Sequence, residues 1–217
     1  MRLDQVAVLS FDCYGTLIDW ERGLLEALAP WRARTGLGLD DEELLARFAE
    51  EESAQQGATP GLRYDLLLGE VLHRLGRRLG VPVEEREARA FGASIGAWPA
   101  FPDSAEALAR LARQVPLLVL SNVDEAGVRR SVERLGDPFT AILTAEAIGS
   151  YKPDPRNFAY LLGFLAGRGL PRDGLLHVAQ SLFHDHAPAA AAGIASVWID
   201  RRAGRPGGAT PPPAGAV

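Results

Sequence analysis

Four short segments carry side chains able to do chemistry together. In Asp12-Cys13-Tyr14-Gly15-Thr16 a carboxylate follows the apolar run 6–11, and a glycine lets the backbone turn tightly around it. A carboxylate so placed is a candidate covalent nucleophile. Ser121-Asn122 follows the run 117–120 and offers a hydroxyl, an amide and backbone N–H groups to an anion. In Ser150-Tyr151-Lys152-Pro153-Asp154-Pro155 two prolines stiffen the chain around a lysine that can hold a carboxylate ionised. The segment Gln180-Ser181-Leu182-Phe183-His184-Asp185-His186 supplies Asp185, suited to orient Lys152 and to position or activate water. Taken singly each has a plainer reading: a helix cap for Asp12 or Asp185, turn formers for Ser121-Asn122, a surface charge for Lys152.

The segments matter because of where they fall. The short apolar runs 6–11, 117–120, 141–143, 175–179 and 196–199 have the form of strands buried on both faces of a parallel sheet, and helical spacing separates them. That alternation predicts a doubly wound α/β sheet, in which ligands bind outside the carboxyl ends of the strands. Between about Trp20 and Trp98 the alternation stops, and successive amphipathic helices read as an inserted helical cap. Helix breaks are expected at Gly36-Leu37-Gly38, Gly57-Ala58-Thr59-Pro60-Gly61 and Gly80-Val81-Pro82. The predicted organisation is therefore a core of residues 1–19 and 99–202, a cap of residues 20–98, and an irregular Gly/Pro-rich tail, 203–217, containing Pro211-Pro212-Pro213. Trp20, Trp31, Phe48 and Trp98 are candidates to line a pocket between cap and core, although helical aromatics more often fill interiors.

Composition excludes several classes. At 217 residues, 47% hydrophobic and 24% charged, the chain suits one core with a modest insertion. No run approaches the roughly 18 apolar residues of a membrane span, and the N-terminus lacks the order of a secretory signal, so a cytoplasmic protein without membrane partners is expected. The one cysteine, Cys13, rules out an internal disulfide or a zinc cage. A formal net charge of −5 argues against general nucleic-acid binding. No stripe specifies an interface, so pairing as a homodimer is left open.

Together, and in this order, the four segments resemble the four motifs of the haloacid dehalogenase superfamily. Phe11-Asp12-Cys13-Tyr14-Gly15-Thr16-Leu17-Ile18-Asp19 and Tyr151-Lys152-Pro153 resemble the 2-haloacid dehalogenase group. Trp98-Pro99-Ala100-Phe101-Pro102-Asp103 and Ser181-Leu182-Phe183-His184-Asp185-His186 resemble a neighbouring subgroup that includes a hydrolase opening azetidine-2-carboxylate. The resemblance implies a Rossmann-like core with the helical cap over Asp12. It implies Asp12, Lys152 and Asp185 as catalytic residues and a substrate site of Tyr14, Thr16, Ser121, Asn122 and Ser181. A cap arginine would receive the leaving halide, with Arg47 and Arg63 as candidates. A leaving nitrogen would instead need a proton donor such as His184 or His186.

Phosphatases of the superfamily usually carry a second aspartate two residues after the nucleophile, and an acidic residue at the start of the fourth motif that helps hold magnesium. Here those positions are Tyr14 and Gln180. A phenol of ordinary pKa about 10 is a poor substitute for a carboxylic acid, whereas a halide needs no protonation. Leu182 stands where the dehalogenases typically have asparagine. The predicted activity is a cofactor-free hydrolase forming an aspartyl ester by attack at the α-carbon of a small 2-substituted carboxylic acid. The alternatives are a magnesium-dependent small-molecule phosphatase and an inactive ligand-binding relative.

Overall fold

The computed structural model describes residues 3–203. Strands β1 (Val8–Phe11), β2 (Leu117–Ser121), β3 (Ala141–Thr144), β4 (Leu175–Ala179) and β5 (Ala195–Trp198) form one parallel sheet in the order β3-β2-β1-β4-β5. β1 is central, with Leu9 opposite Leu117 on one side and Val8 opposite Leu175 on the other. Every residue of β1, β2 and β4 is buried, as their apolar sequences require. β5 departs from the buried strand expected at 196–199. It starts at Ala195 and leaves Val197 and Trp198 exposed, because among the described residues it lies at the edge of the sheet with a strand neighbour on one side only.

Helices α1 (Trp20–Thr35), α2 (Asp41–Ala58), α3 (Tyr64–Leu79) and α4 (Glu85–Ala93) follow one another with no strand between them. Helices α5 (Ser104–Leu111), α6 (Glu125–Arg134), α7 (Ala145–Ile148), α8 (Pro155–Ala166) and α9 (Ala187–Ala191) connect the strands. Local chemistry sets the boundaries of the first group. Asp19 and Asp40 accept backbone N–H bonds from Arg22 and Glu43 and so start α1 and α2. Gly36 and Gly80 end α1 and α3 with φ of 65° and 68°, the left-handed conformation that glycine adopts without penalty. α3 then buries Leu67, Leu68, Val71, Leu72 and Leu75 on a single face. One hydrophobic cluster runs from Leu9 and Phe11 of β1 through Ile18 and Trp20 to Leu67 and Phe91.

The chain enters and leaves the helical segment along paired backbone. Asp19 N–H donates to Pro99 O at 2.7 Å and Phe101 N–H to Leu17 O at 3.0 Å, while Ile18 bridges both Tyr14 and Ala100. Trp98 packs onto α1 at Gly23, where a Cβ would lie 2.3 Å from the indole. The predicted irregular tail lies outside the described residues except for Ala203, which is in a turn. Among the described residues no helix is long and apolar enough to cross a membrane.

Helices α3 and α4 meet closely at Gly92, where an added Cβ would sit 2.1 Å from the Asp65 carbonyl oxygen. Backbone cannot swing aside as a side chain does, so Gly92→Ala is expected to cost about 1–3 kcal/mol. Thermal unfolding should fall by about 2–4 °C per kcal/mol. Gly163→Ala, on an exposed face of α8 with nothing within 4 Å, is the control and should leave the midpoint unchanged or slightly raised.

Candidate active site

Asp12 leaves β1 with its N–H bonded to Val178 O of β4 at 3.0 Å, and Gly15, at φ 89°, turns the chain back. That turn brings Thr16 beneath the carboxylate. Its hydroxyl donates to Asp12 Oδ2 at 2.6 Å and accepts the Gln180 N–H at 2.9 Å. From beyond β3, Lys152 extends its ammonium to the other oxygen. Nζ donates to Asp12 Oδ1 at 2.9 Å, Asp185 Oδ1 at 2.6 Å and Leu120 O at 2.9 Å, with the residue only 1% exposed. The Asn122 amide fixes the lysine backbone at both ends: Lys152 N–H donates to Oδ1 at 2.7 Å, and Nδ2 donates to Lys152 O at 3.1 Å.

Asp185 sits on a π-helical turn, Leu182–His186, whose first residues are capped by Ser181 accepting the His184 N–H at 3.0 Å. Its Oδ1 also meets His177 Nε2 at 3.0 Å, and His177 Nδ1 lies 2.8 Å from Ser10 Oγ. Asp185 Oδ2 is buried with no hydrogen-bond partner among the described residues. One cation therefore serves two buried carboxylates. Burial works against the Lys152 charge, but Asp12 and Asp185 overcome it and hold the ammonium above its ordinary pKa. Burial likewise opposes ionisation of Asp185, yet Lys152 and His177 hold it well below the usual carboxylate range. For Asp12, burial and the neighbouring Asp185 charge prevail over Lys152 and Thr16, so its pKa is raised.

A cleft of about 1130 Å³ opens onto these groups. One wall comes from the strand ends, with Tyr14, Ser121, Asn122 and Ser181; the other comes from α1 and α2, including Trp20 and Glu52. Tyr14 is held by Ser131 Oγ at 2.8 Å and by edge contact with Trp98 at 6.0 Å. Thr16 is absent from the wall, because its hydroxyl is engaged by Asp12 and Gln180. Asn122 reaches the wall with its amide already committed to the Lys152 backbone.

Other expectations from the sequence are corrected. Arg47 and Arg63 lie outside the cleft; the first faces Glu43 at 3.9 Å, and the second grips Asp65 at 2.6 and 2.7 Å near the surface. The arginines that do line it are paired: Arg22 with Glu26, Arg201 with Asp103, and Arg202 with Glu21 and Glu42. Of the four aromatics only Trp20 lines the cleft. Trp31, Phe48 and Trp98 are packed inside, where large apolar faces gain most. Burial pushes His184 down to about 4, so it is neutral near pH 7 and cannot act as an imidazolium donor there. His186 is outside the wall, between Ser196 Oγ and Ala179 O.

Sequence reasoning missed His177 and Ser10. The available signal was polar residues breaking two apolar runs, at positions that face each other in the β1–β4 ladder. It also passed over Glu52.

Magnesium, the cofactor of the phosphatase alternative, needs several uncommitted oxygens, preferably anionic. Both Asp12 oxygens are hydrogen-bonded, Asp185 leaves one, the Tyr14 hydroxyl is turned to Ser131, and Gln180 is neutral. Among the described residues no group of three or more His, Cys, Asp or Glu side chains is placed to hold a metal. The donor set does not fit the ion.

The family model for haloacid dehalogenase-like hydrolases matches residues 6–173. The chain belongs to that family. Among solved structures, a defluorinating L-2-haloacid dehalogenase superposes with TM-score 0.78 at 23% identity, covering 95% of this chain and 87% of the other. The L-2-haloacid dehalogenase of Xanthobacter autotrophicus with chloropropionic acid covalently bound gives TM-score 0.73 at 23% identity, covering 90% and 78%. A HAD-hydrolase of Bacillus subtilis bound to magnesium gives 0.75 at 17%, covering 89% and 88%. Among curated proteins no sequence matches. At these identities the structural likeness establishes the Rossmann-like fold that the haloacid dehalogenase-like hydrolases share.

Lys152→Met tests the charge arrangement of this hydrolase. Leaving Asp12 and Asp185 buried without a cation should cost about 3–5 kcal/mol. Stability should also come to depend more strongly on pH. In the native protein the lowered pKa of Asp185 contributes stability that is present above about pH 4 and is lost only as pH falls from there through the folded pKa, while the raised pKa of Asp12 acts in the opposite sense. In the variant both carboxylates are raised, so stability should recover as acid protonates them. Denaturant unfolding between about pH 4 and 8 reads this directly, and a variant as stable as the parent at pH 7 would contradict it.

Proposed function

We propose that this hydrolase works on carbon without a metal, through Asp12, on a small 2-substituted carboxylic acid of the 2-haloacid or azetidine-2-carboxylate kind. The observation that carries this reading is the buried contact of the Lys152 ammonium with Asp12 and Asp185 at 2.9 and 2.6 Å. It works against the burial that raises the Asp12 pKa and so favours the anionic form that attack requires. A carboxylate so largely buried is less shielded by solvent than one in water, which favours its attack on carbon.

In this scheme Ser121 and Ser181 receive the substrate carboxylate, and Tyr14 shapes the space beside it. Asp12 Oδ forms a bond to the α-carbon as the bond to the leaving atom breaks, and the electron pair departs with that atom. Water then adds to the aspartyl carbonyl and releases a 2-hydroxy acid; the proton set free passes to solvent when the leaving atom is a halide and to the departing amine when it is a ring nitrogen. Asp185 Oδ2, a buried acceptor without a partner among the described residues, suits orientation of that water. Its depressed basicity favours orienting over proton removal. Thr16 and Asn122 act one step back, as positioning residues for Asp12 and Lys152. Residues 20–98 supply the second wall of the cleft and so serve as the cap. The chloropropionic acid bound covalently in the Xanthobacter autotrophicus enzyme supports the ester step on this fold.

A panel of 2-haloacids, azetidine-2-carboxylate and a phosphate ester, each with EDTA and with added magnesium, tests the reading. Turnover of a carboxylic acid in EDTA is expected, and Asp12→Asn should lower it by about 10³-fold or more with the fold intact. The raised Asp12 pKa places the acid limb of kcat/KM above the ordinary carboxylate value of about 4, activity rising with pH as Asp12 ionises. Phosphate release that depends on magnesium, with no carboxylic acid consumed, would overturn the proposal.

A further inference from the structure

Helix α2 shows an apolar stripe that turns polar where it reaches the cleft. Leu44 and Phe48 occupy successive positions four residues apart, and the next two are Glu52 and Gln56, with Gln55 beside them, all buried. Glu52, 9% exposed, lines the same cleft as Asp12. Its hydrogen-bond partner is the hydroxyl of Tyr64, a buried residue at the start of α3 that also lines the cleft. No cation pairs with Glu52 among the described residues, and burial pushes its carboxyl up to about 7, Tyr64 countering in part. A buried carboxyl without a cation is a costly thing to keep in a helix stripe where leucine would pack.

The charge balance of the cleft points the same way. On the core side one ammonium already serves two carboxylates, and a substrate carboxylate would add another negative charge. The arginines of the wall are each bound to a carboxylate, which leaves them poorly placed to supply the balancing charge. That charge can come with the ligand.

We propose that Glu52, held by Tyr64, recognises a positively charged nitrogen on the substrate, so that the preferred 2-substituted carboxylic acid carries an ammonium group facing α2. The proposal rests on Asp12 being the carbon-attacking group, but its test does not need turnover. In Asp12→Asn, calorimetric titration with 4-aminobutyrate and with butyrate compares two ligands that differ in the ammonium. The amino acid should bind about ten-fold or more tightly, and the preference should collapse when Glu52→Gln is added, since glutamine keeps an acceptor for Tyr64 but removes the charge. Circular dichroism and the thermal midpoint establish that the double variant is folded. If it is not, Tyr64→Phe in the Asp12→Asn background should weaken the preference without removing it, the charge being retained. Equal affinity for the two ligands, binding of neither, or a preference that survives Glu52→Gln would overturn the proposal. Failure to turn over any carboxylic acid while the preference is present would instead sink the carbon-attack reading and leave this recognition standing.

Discussion

The contact between the Lys152 ammonium and its three acceptors sets the terms for everything around it. A charge 1% exposed is tolerated only when its partners are held in place, and each partner comes from a different strand end: Asp12 from β1, the Leu120 carbonyl from β2, Asp185 from the turn after β4. The Asn122 amide grips the lysine backbone, and His177, itself set by Ser10, holds Asp185 from behind. Two buried carboxylates sharing one ammonium, with the pKa of one of them raised, are costly to keep for stability alone, a pattern that the proposed role of Asp12 accounts for.

Parallel topology is what makes such a convergence possible. With β1 central and flanked by β2 and β4, the carboxyl ends of adjacent strands open at the same edge, and their loops meet there. The helical segment then closes the other side. Its two connections run side by side through the Asp19–Pro99 and Phe101–Leu17 bonds, and Trp98 seats against Gly23 of α1. Position on the cleft wall follows from that seating, which is why α2 delivers Glu52 opposite the strand ends.

How far the sequence reveals this depends on the physical scale of each feature. Strands β1 to β4 are legible because burial favours largely apolar runs, and Asp12, Lys152 and Asp185 because they follow such runs or stand in stiff loops. Gly36 and Gly80 were legible as helix ends because left-handed backbone leaves glycine as the usual choice. Side-chain reach was not legible. Thr16 and Asn122 look like ligand contacts in a motif, yet their polar atoms are taken by Asp12, Gln180 and the Lys152 backbone. Arg47 and Arg63 are on the right helical segment but pair with Glu43 and Asp65, partners only two to four residues away. His177 was hidden because one polar residue in a strand reads as a flaw until its ladder partner, Ser10, is known.

A nucleophilic carboxylate leaves an isotopic record that no water-attack mechanism reproduces. The direct measurement is a single turnover in ¹⁸O water, with enzyme in excess over a turned-over 2-substituted acid, followed by mass analysis of the product and of the peptide containing Asp12. The expected result is an unlabelled hydroxyl in the 2-hydroxy acid and one ¹⁸O in Asp12, because the product oxygen comes from the carboxylate and water replaces it. Label in the product with none in Asp12 would mean that water attacks the substrate directly, and that the buried Lys152–Asp12 contact serves some other purpose.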